Sequence, residues 1–109
     1  MKGAVVLVPF PYTDFSATKL RPAVVLLDHD PDIVVAFISS KIPDSPAPAG
    51  IVLTRSMPEF LKTGLKTDSV IRLDKITTII KTMVAGTIGE LPQEIRSEVN
   101  RKMAELYRI

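Results

Sequence analysis

The sequence predicts a mainly β fold with a C-terminal helix, built as a compact, strongly bent sheet or small barrel. Three observations predict it. Short apolar runs dominated by Val and Ile recur at 4–8, 23–27, 33–38, 51–53, 70–73, 76–80 and 83–88; runs of this length, separated by turn residues, read as strands rather than helices. A long amphipathic stripe occurs near the end of the chain, where Ile95, Val99, Met103 and Leu106 recur at helical spacing. Gly86 lies within the last run and Gly89 directly after it, which predicts a bulge or bend of the kind small barrels need at corners.

Taken in order, the first run leads into a loop over residues 9–20 that is rich in proline and small polar residues. Arg21 closes that loop directly before Pro22 and the second run. Asp28-His29-Asp30-Pro31-Asp32 is a tight hairpin connection to the third run. Three prolines within residues 43–50 mark a surface loop. Ser56-Met57-Pro58-Glu59 has the form of a capping box and predicts a short helix ended by Gly64. The second helix is expected from Pro92 to about Tyr107, with Glu94 and Glu98 toward its N-terminus and Arg101, Lys102 and Arg108 toward its C-terminus, as the helix dipole favours.

The bulk composition narrows the function classes. A chain of 109 residues is expected to be one domain, spanning 1–109. It has no cysteine, which excludes thiol catalysis and cysteine-ligated zinc. The apolar stretch at residues 4–8 is too short for a secretion signal and no run has transmembrane length, so a cytoplasmic location is expected. The net charge is +2. Residues 1–54 carry −1 and residues 55–109 carry +3, so there is no basic tail or stripe. Any polyanion has to be held by a few well-placed cations.

Arg21 is the first of these. Proline after it drives its backbone to extended geometry, and a fixed, permanently charged fork suits a phosphate; the plainer alternative is a solvated charge at a strand end. Arg72 and Asp74 lie two apart in a strand, so they share one face while Ile71 and Leu73 point to the other. Without further information that pair reads first as an exposed structural ion pair. Ser39 and Ser40 end the third run. Alternation sends them to opposite sides, so one of them is expected to reach a groove. His29, Asp28, Asp30 and Asp32 raise a metal site, but alternation scatters their side chains. Phe10, Tyr12 and Phe15 are placed either to stack bases or to anchor the first loop.

In order and spacing, Val8-Pro9-Phe10-Pro11-Tyr12-Thr13-Asp14, Lys19-Leu20-Arg21-Pro22-Ala23-Val24-Val25-Leu26, Phe37-Ile38-Ser39-Ser40-Lys41 and Thr67-Asp68-Ser69-Val70-Ile71-Arg72-Leu73-Asp74-Lys75-Ile76-Thr77-Thr78-Ile79, with Gly86-Thr87-Ile88-Gly89 before the helix, resemble the PemK/MazF-like toxin family. The resemblance covers nearly the whole chain. It implies an SH3-like barrel that pairs as a homodimer and cuts single-stranded RNA without a metal or other cofactor. It also implies the role of toxin in a type II toxin–antitoxin system, silenced by a cognate antitoxin lying across the RNA groove.

Carried over residue by residue, the family's Arg-Pro arginine matches Arg21 and the hydroxyl residue closing its third strand matches Ser39, where many members have Thr. An arginine and an aspartate that act in some members match Arg72 and Asp74. Metal-free cleavage uses the RNA's own 2′-hydroxyl, which explains selectivity against DNA. Asp74 is then the expected base, its weakness offset by burial or by placement. Arg21 is the expected electrostatic stabiliser. Tyr12, Thr13, Lys19, Ser40 and Lys41 are expected to bind substrate. Some relatives carry His or Glu in the first loop; here Ser16-Ala17-Thr18-Lys19 stands instead, and Lys19 is the nearest cation. The rival expectation is a non-catalytic nucleic-acid- or protein-binding barrel of the same fold.

Overall fold

The computed structural model describes residues 1–9, 19–45 and 47–109. The chain runs β1 (Ala4–Pro9), β2 (Leu20–His29), β3 (Asp32–Ser39), β4 (Gly50–Leu53), a 3₁₀ turn (Phe60–Thr63), β5 (Ser69–Ile80), a second 3₁₀ turn (Lys81–Met83), β6 (Gly86–Glu90) and α1 (Gln93–Leu106). The six strands form one sheet in the order β4-β5-β3-β2-β1-β6, and each neighbouring pair is antiparallel. This is the expected mainly β fold with a C-terminal helix, in the form of a half-barrel.

Its apolar runs do not alternate cleanly with polar residues because both faces of the sheet are covered. Val5, Val24, Ile38, Ile71 and Leu73 pack on one face against Leu91, Ile95 and Val99 from α1 and its approach. Val6, Val8, Ala23, Val25, Val35 and Phe37 form a second cluster. Neighbouring residues such as Val5 and Val6 fall into different clusters, as a period of two demands. A strand buried on both sides has no polar face to display.

Register breaks bend the sheet. Val5 pairs with Gly89 and Val6 with Thr87, leaving Ile88 as the extra residue of a bulge in β6. That agrees with the bend expected from the two glycines. Gly89 has a further reason to be glycine: a Cβ there would overlap the backbone carbonyls of Lys62 and Thr63. Gly64 approaches the same strand, with a φ of 73°, and a Cβ on it would overlap the carbonyl of Ile88. The 3₁₀ turn and β6 therefore meet backbone to backbone.

Some local expectations need correction. The helix expected from Ser56 is only the 3₁₀ turn Phe60–Thr63; it begins after Glu59, whose φ is 62°, and does end at Gly64. Buried Phe60 and Thr63 fix that turn, and the Ser56 hydroxyl pairs with Thr54 Oγ1 instead of capping a helix. The runs at 70–73 and 76–80 are one twelve-residue strand, β5, rather than two. The expected C-terminal helix is observed, with Pro92 and Tyr107 as its flanking residues.

Candidate functional site

Three adjacent strands, β5, β3 and β2, deliver the candidate residues to one place. Phe37 of β3 pairs with Ala23 on one side and with Arg72 on the other. Cross-strand partners point the same way, so Arg72 shares the face of Phe37, opposite α1. Two residues along each strand brings Ser39 and Arg21 to that same face. Arg21 lies in the ladder opposite Val8, which fixes the start of its side chain against a fully buried residue. The apolar cluster of this face thus ends at Phe37, and the polar site begins there.

A cleft of about 350 Å³ occupies this end of the sheet, lined by Arg21, Ser39, Ser40, Lys41, Arg72 and Lys75 over Phe37 and Ile38. Among the described residues its ionisable lining is wholly cationic. Asp74 lies beside it, in an adjoining hollow of about 290 Å³ shared with Phe37, Lys75 and Ile76. Arg72 links the two spaces: its Nε donates to Asp74 Oδ1 at 3.0 Å and its Nη2 to Oδ2 at 2.8 Å. This is a bidentate fork that fixes the planes of both groups.

The pair sets the ionisation of its members. The Arg72 guanidinium holds the Asp74 carboxyl below the usual carboxylate range, its hydrogen bonds outweighing the opposing effect of burial. Asp74 in turn raises the guanidinium's own value. The expectation that burial makes Asp74 a stronger base is therefore not met. Its side chain is 44% exposed, and the lowered value keeps it ionised, so any basic role for it would have to come from its position.

That position comes from an irregularity in β5. Ala36 pairs with Ile76 and its neighbour Phe37 with Arg72, which leaves residues 73–75 without partners in β3. The backbone groups of Leu73 are satisfied elsewhere: its N–H donates to Ala49 O at 2.9 Å, and its carbonyl accepts a hydrogen bond from the Tyr107 hydroxyl. Lys102 Nζ donates to Pro48 O and Gly50 O, at 3.2 and 3.0 Å. The end of α1 thus holds both β5 and the segment leading into β4. The Leu73 side chain remains fully buried in the core, which anchors the bulge from below.

Among the sequence-selected residues, Arg21, Ser39, Ser40, Lys41 and Arg72 meet in the cleft and Asp74 joins through Arg72. Ser39 and Ser40 both line it, contrary to strict alternation, because β3 ends at Ser39 and Ser40 is free of the pleat. Ser39 Oγ also accepts a hydrogen bond from Lys41 N at 3.1 Å, which turns the chain over the cleft. Lys19 is exposed and is not among the lining residues. Phe10, Tyr12, Thr13 and Phe15 lie outside the described residues.

Lys75 is the lining residue that sequence reasoning missed. Alternation gives it the parity of Ile71 and Leu73, facing the core; only the bulge turns it to the cleft. The acidic hairpin has a structural account, since Lys81 Nζ contacts Asp28 Oδ1 at 2.7 Å and Asp30 Oδ1 at 2.6 Å. Among the described residues, no group of three or more His, Asp or Glu is placed to hold a metal. Among them, too, no helix is long and apolar enough to cross a membrane.

Comparison with known proteins sets this geometry beside others. A family model described as PemK-like, MazF-like toxin of type II toxin–antitoxin system matches residues 1–107. No curated protein matches by sequence. The fold is similar to that of the Mycobacterium tuberculosis toxin MazF-mt6, with a TM-score of 0.75, 16% identity, and 97% of each chain covered. An endoribonuclease in complex with its cognate antitoxin from a mycobacterial species gives a TM-score of 0.70 at 16% identity, over 96% of this chain and 91% of that one. A MazE–MazF structure from Deinococcus radiodurans gives 0.70 at 20% identity, over 96% and 92%.

Proposed function

The chain belongs to the PemK-like, MazF-like toxin family of type II toxin–antitoxin systems, and from that premise we propose that it is a metal-independent endoribonuclease acting on single-stranded RNA. The observation that carries this reading is the meeting of Arg21, Ser39 and Arg72 in one cleft, with Asp74 held beside them by a two-bond fork.

In the proposed reaction, the 2′-hydroxyl of the nucleotide preceding the cut attacks its own 3′-phosphorus. Asp74 receives the 2′-proton as the new P–O bond forms. Arg21 and Arg72 face the phosphorane and offset the charge that builds on its non-bridging oxygens. The Ser39 hydroxyl donates a hydrogen bond to one of those oxygens or keeps Arg21 in line. The bond to the 5′-oxygen breaks, and that oxygen takes a proton from water in the open cleft. Products are a 2′,3′-cyclic phosphate and a 5′-hydroxyl. DNA can occupy the site but has no nucleophile.

The partners follow from the same premise. Structures of similar fold include an endoribonuclease with its cognate antitoxin and a MazE–MazF pair, and we extend that pairing to this chain as silencing by an antitoxin whose acidic side chains compete for the cleft's cations; action as a homodimer we take from the family membership alone. Incubation of the purified chain with labelled RNA in excess EDTA tests the activity. The reading predicts cleavage of single-stranded RNA, and a loss of about a hundred- to thousandfold for Arg21→Ala. Expression of the unmodified chain without its partner is expected to arrest growth, and normal growth would count against the reading. One observation favours the rival, binding without cutting: Asp74 is held as a weak base. Binding of RNA that stays intact in the EDTA experiment would favour that rival.

A further inference from the structure

The bulge in β5 places one cation that the proposed chemistry does not use. Residues 73–75 have no partners in β3. Leu73 points into the core and Asp74 is committed to Arg72. Lys75 is exposed, lines both the cleft and the adjoining hollow, and makes no direct ion pair among the described residues, its charge acting on Asp74 only as a minor through-space influence. Arg72, by contrast, gives two of its donors to Asp74.

The hollow itself is small, about 290 Å³, just under the roughly 300–1,000 Å³ of pockets that enclose drug-sized ligands. Phe37 and Ile76 give it an apolar side, while Asp74 and Lys75 give it a polar rim. That combination suits one nucleoside, with the base against the apolar wall and its backbone at the rim. A strand with its scissile phosphate between Arg21 and Arg72 reaches its next phosphate one nucleotide further on, where the two spaces share Lys75.

We propose that this hollow is a nucleoside subsite flanking the cut, and that Lys75 holds the phosphate adjacent to the scissile one. The inference rests on the endoribonuclease reading for what the strand does there, but binding alone tests it. A lysine suits this role because a flanking phosphate needs charge without the planar fork required at the reacting one. Neutralising a single phosphate contact on a single strand lowers the salt slope of log K by about 0.7, and the same loss applies to any sequence bound.

The test compares the unmodified chain with Lys75→Gln and Lys75→Arg. Binding is measured with a fluorescent, non-cleavable 2′-O-methyl RNA of random sequence over a salt series, and cleavage with labelled RNA in EDTA. The subsite predicts a roughly three- to tenfold rise in both Kd and KM for Lys75→Gln. Its salt slope should be shallower by about 0.7, its kcat within about twofold, and Lys75→Arg should restore the slope. If Lys75→Gln leaves Kd and slope unchanged while the parent cuts RNA, the subsite is refuted and the nuclease reading survives. If the parent binds with a Lys75-dependent slope but cuts nothing, the subsite survives and the nuclease reading fails. A fall in kcat at unchanged KM would place Lys75 in the chemistry and overturn the proposal, and a parent that neither binds nor cuts overturns both.

Discussion

Asp74→Asn separates the two things that the Arg72–Asp74 pair can be, a base with its positioning partner or a surface ion pair. Asparagine keeps the shape of aspartate and can still accept from Arg72 Nε at its Oδ1. Its amide nitrogen then faces Nη2, donor against donor, so the 2.8 Å bond is lost and the charge goes with it. The two side chains are 34% and 44% exposed, so solvent screens the pair and its removal costs about 0.2–1 kcal/mol of stability. For a domain of this size that is a fall in Tm of no more than about 8 °C. Loss of a positioned base instead costs about 10²–10⁴ in rate, or about 2.7–5.4 kcal/mol on the barrier. The two effects differ enough to be told apart. Single-turnover cleavage of end-labelled RNA in EDTA, with thermal unfolding followed by circular dichroism, measures both. A folded variant cleaving within about fivefold of the parent would refute the assignment of Asp74 as base.

Three further outcomes are expected. Because Arg72 holds Asp74 below the ordinary aspartate value, the carboxylate and its share of stability persist above about pH 3.9 and are lost only as pH falls through the lower folded value. A pH–rate profile should accordingly show no acid limb between about pH 5 and 8, and a limb near pH 6 would point to another base. Tyr107→Phe removes the donor to the Leu73 carbonyl; it should cost about 1 kcal/mol of stability and lower kcat with KM unchanged, because the bulge that carries Asp74 loosens. Unaltered kcat would show that α1 does not position the site. Gly89→Ala drives a methyl group into the backbone carbonyls of Lys62 and Thr63 and should cost about 1–3 kcal/mol, seen as a lower denaturation midpoint; a midpoint equal to the parent's would mean that the contact relaxes freely.

What could be read from the sequence follows the reach of local rules. Arg21 was legible because Pro22 and two flanking apolar runs fix a cation at a strand start without any tertiary information. The C-terminal helix was legible from its stripe, and the bend at β6 from its glycines. Alternation placed Arg72 and Asp74 together correctly, and Ile71 and Leu73 beneath them. It failed where the pleat fails. The three unpartnered residues of β5 turn Lys75 outward, and no residue type in that stretch announces it, since Leu73 remains a core residue and the hydrogen bonds that stabilise the bulge come from Ala49 and Tyr107, both remote in sequence. Ser40 escaped alternation because β3 stops one residue earlier. The ionisation of Asp74 depends on how much of it is buried and on a two-bond fork, neither of which a spacing of two residues specifies.

Attack by the strand's own 2′-hydroxyl is the step on which the proposed activity of this chain depends. The nature of the ends left in EDTA measures it most directly. Fragments whose 5′ ends accept a labelled phosphate from polynucleotide kinase without prior phosphatase treatment, and which fail to appear when the nucleotide before the cut carries a 2′-deoxy sugar, are the predicted result. Fragments bearing 5′-phosphates, or cleavage that continues through the 2′-deoxy position, would contradict it.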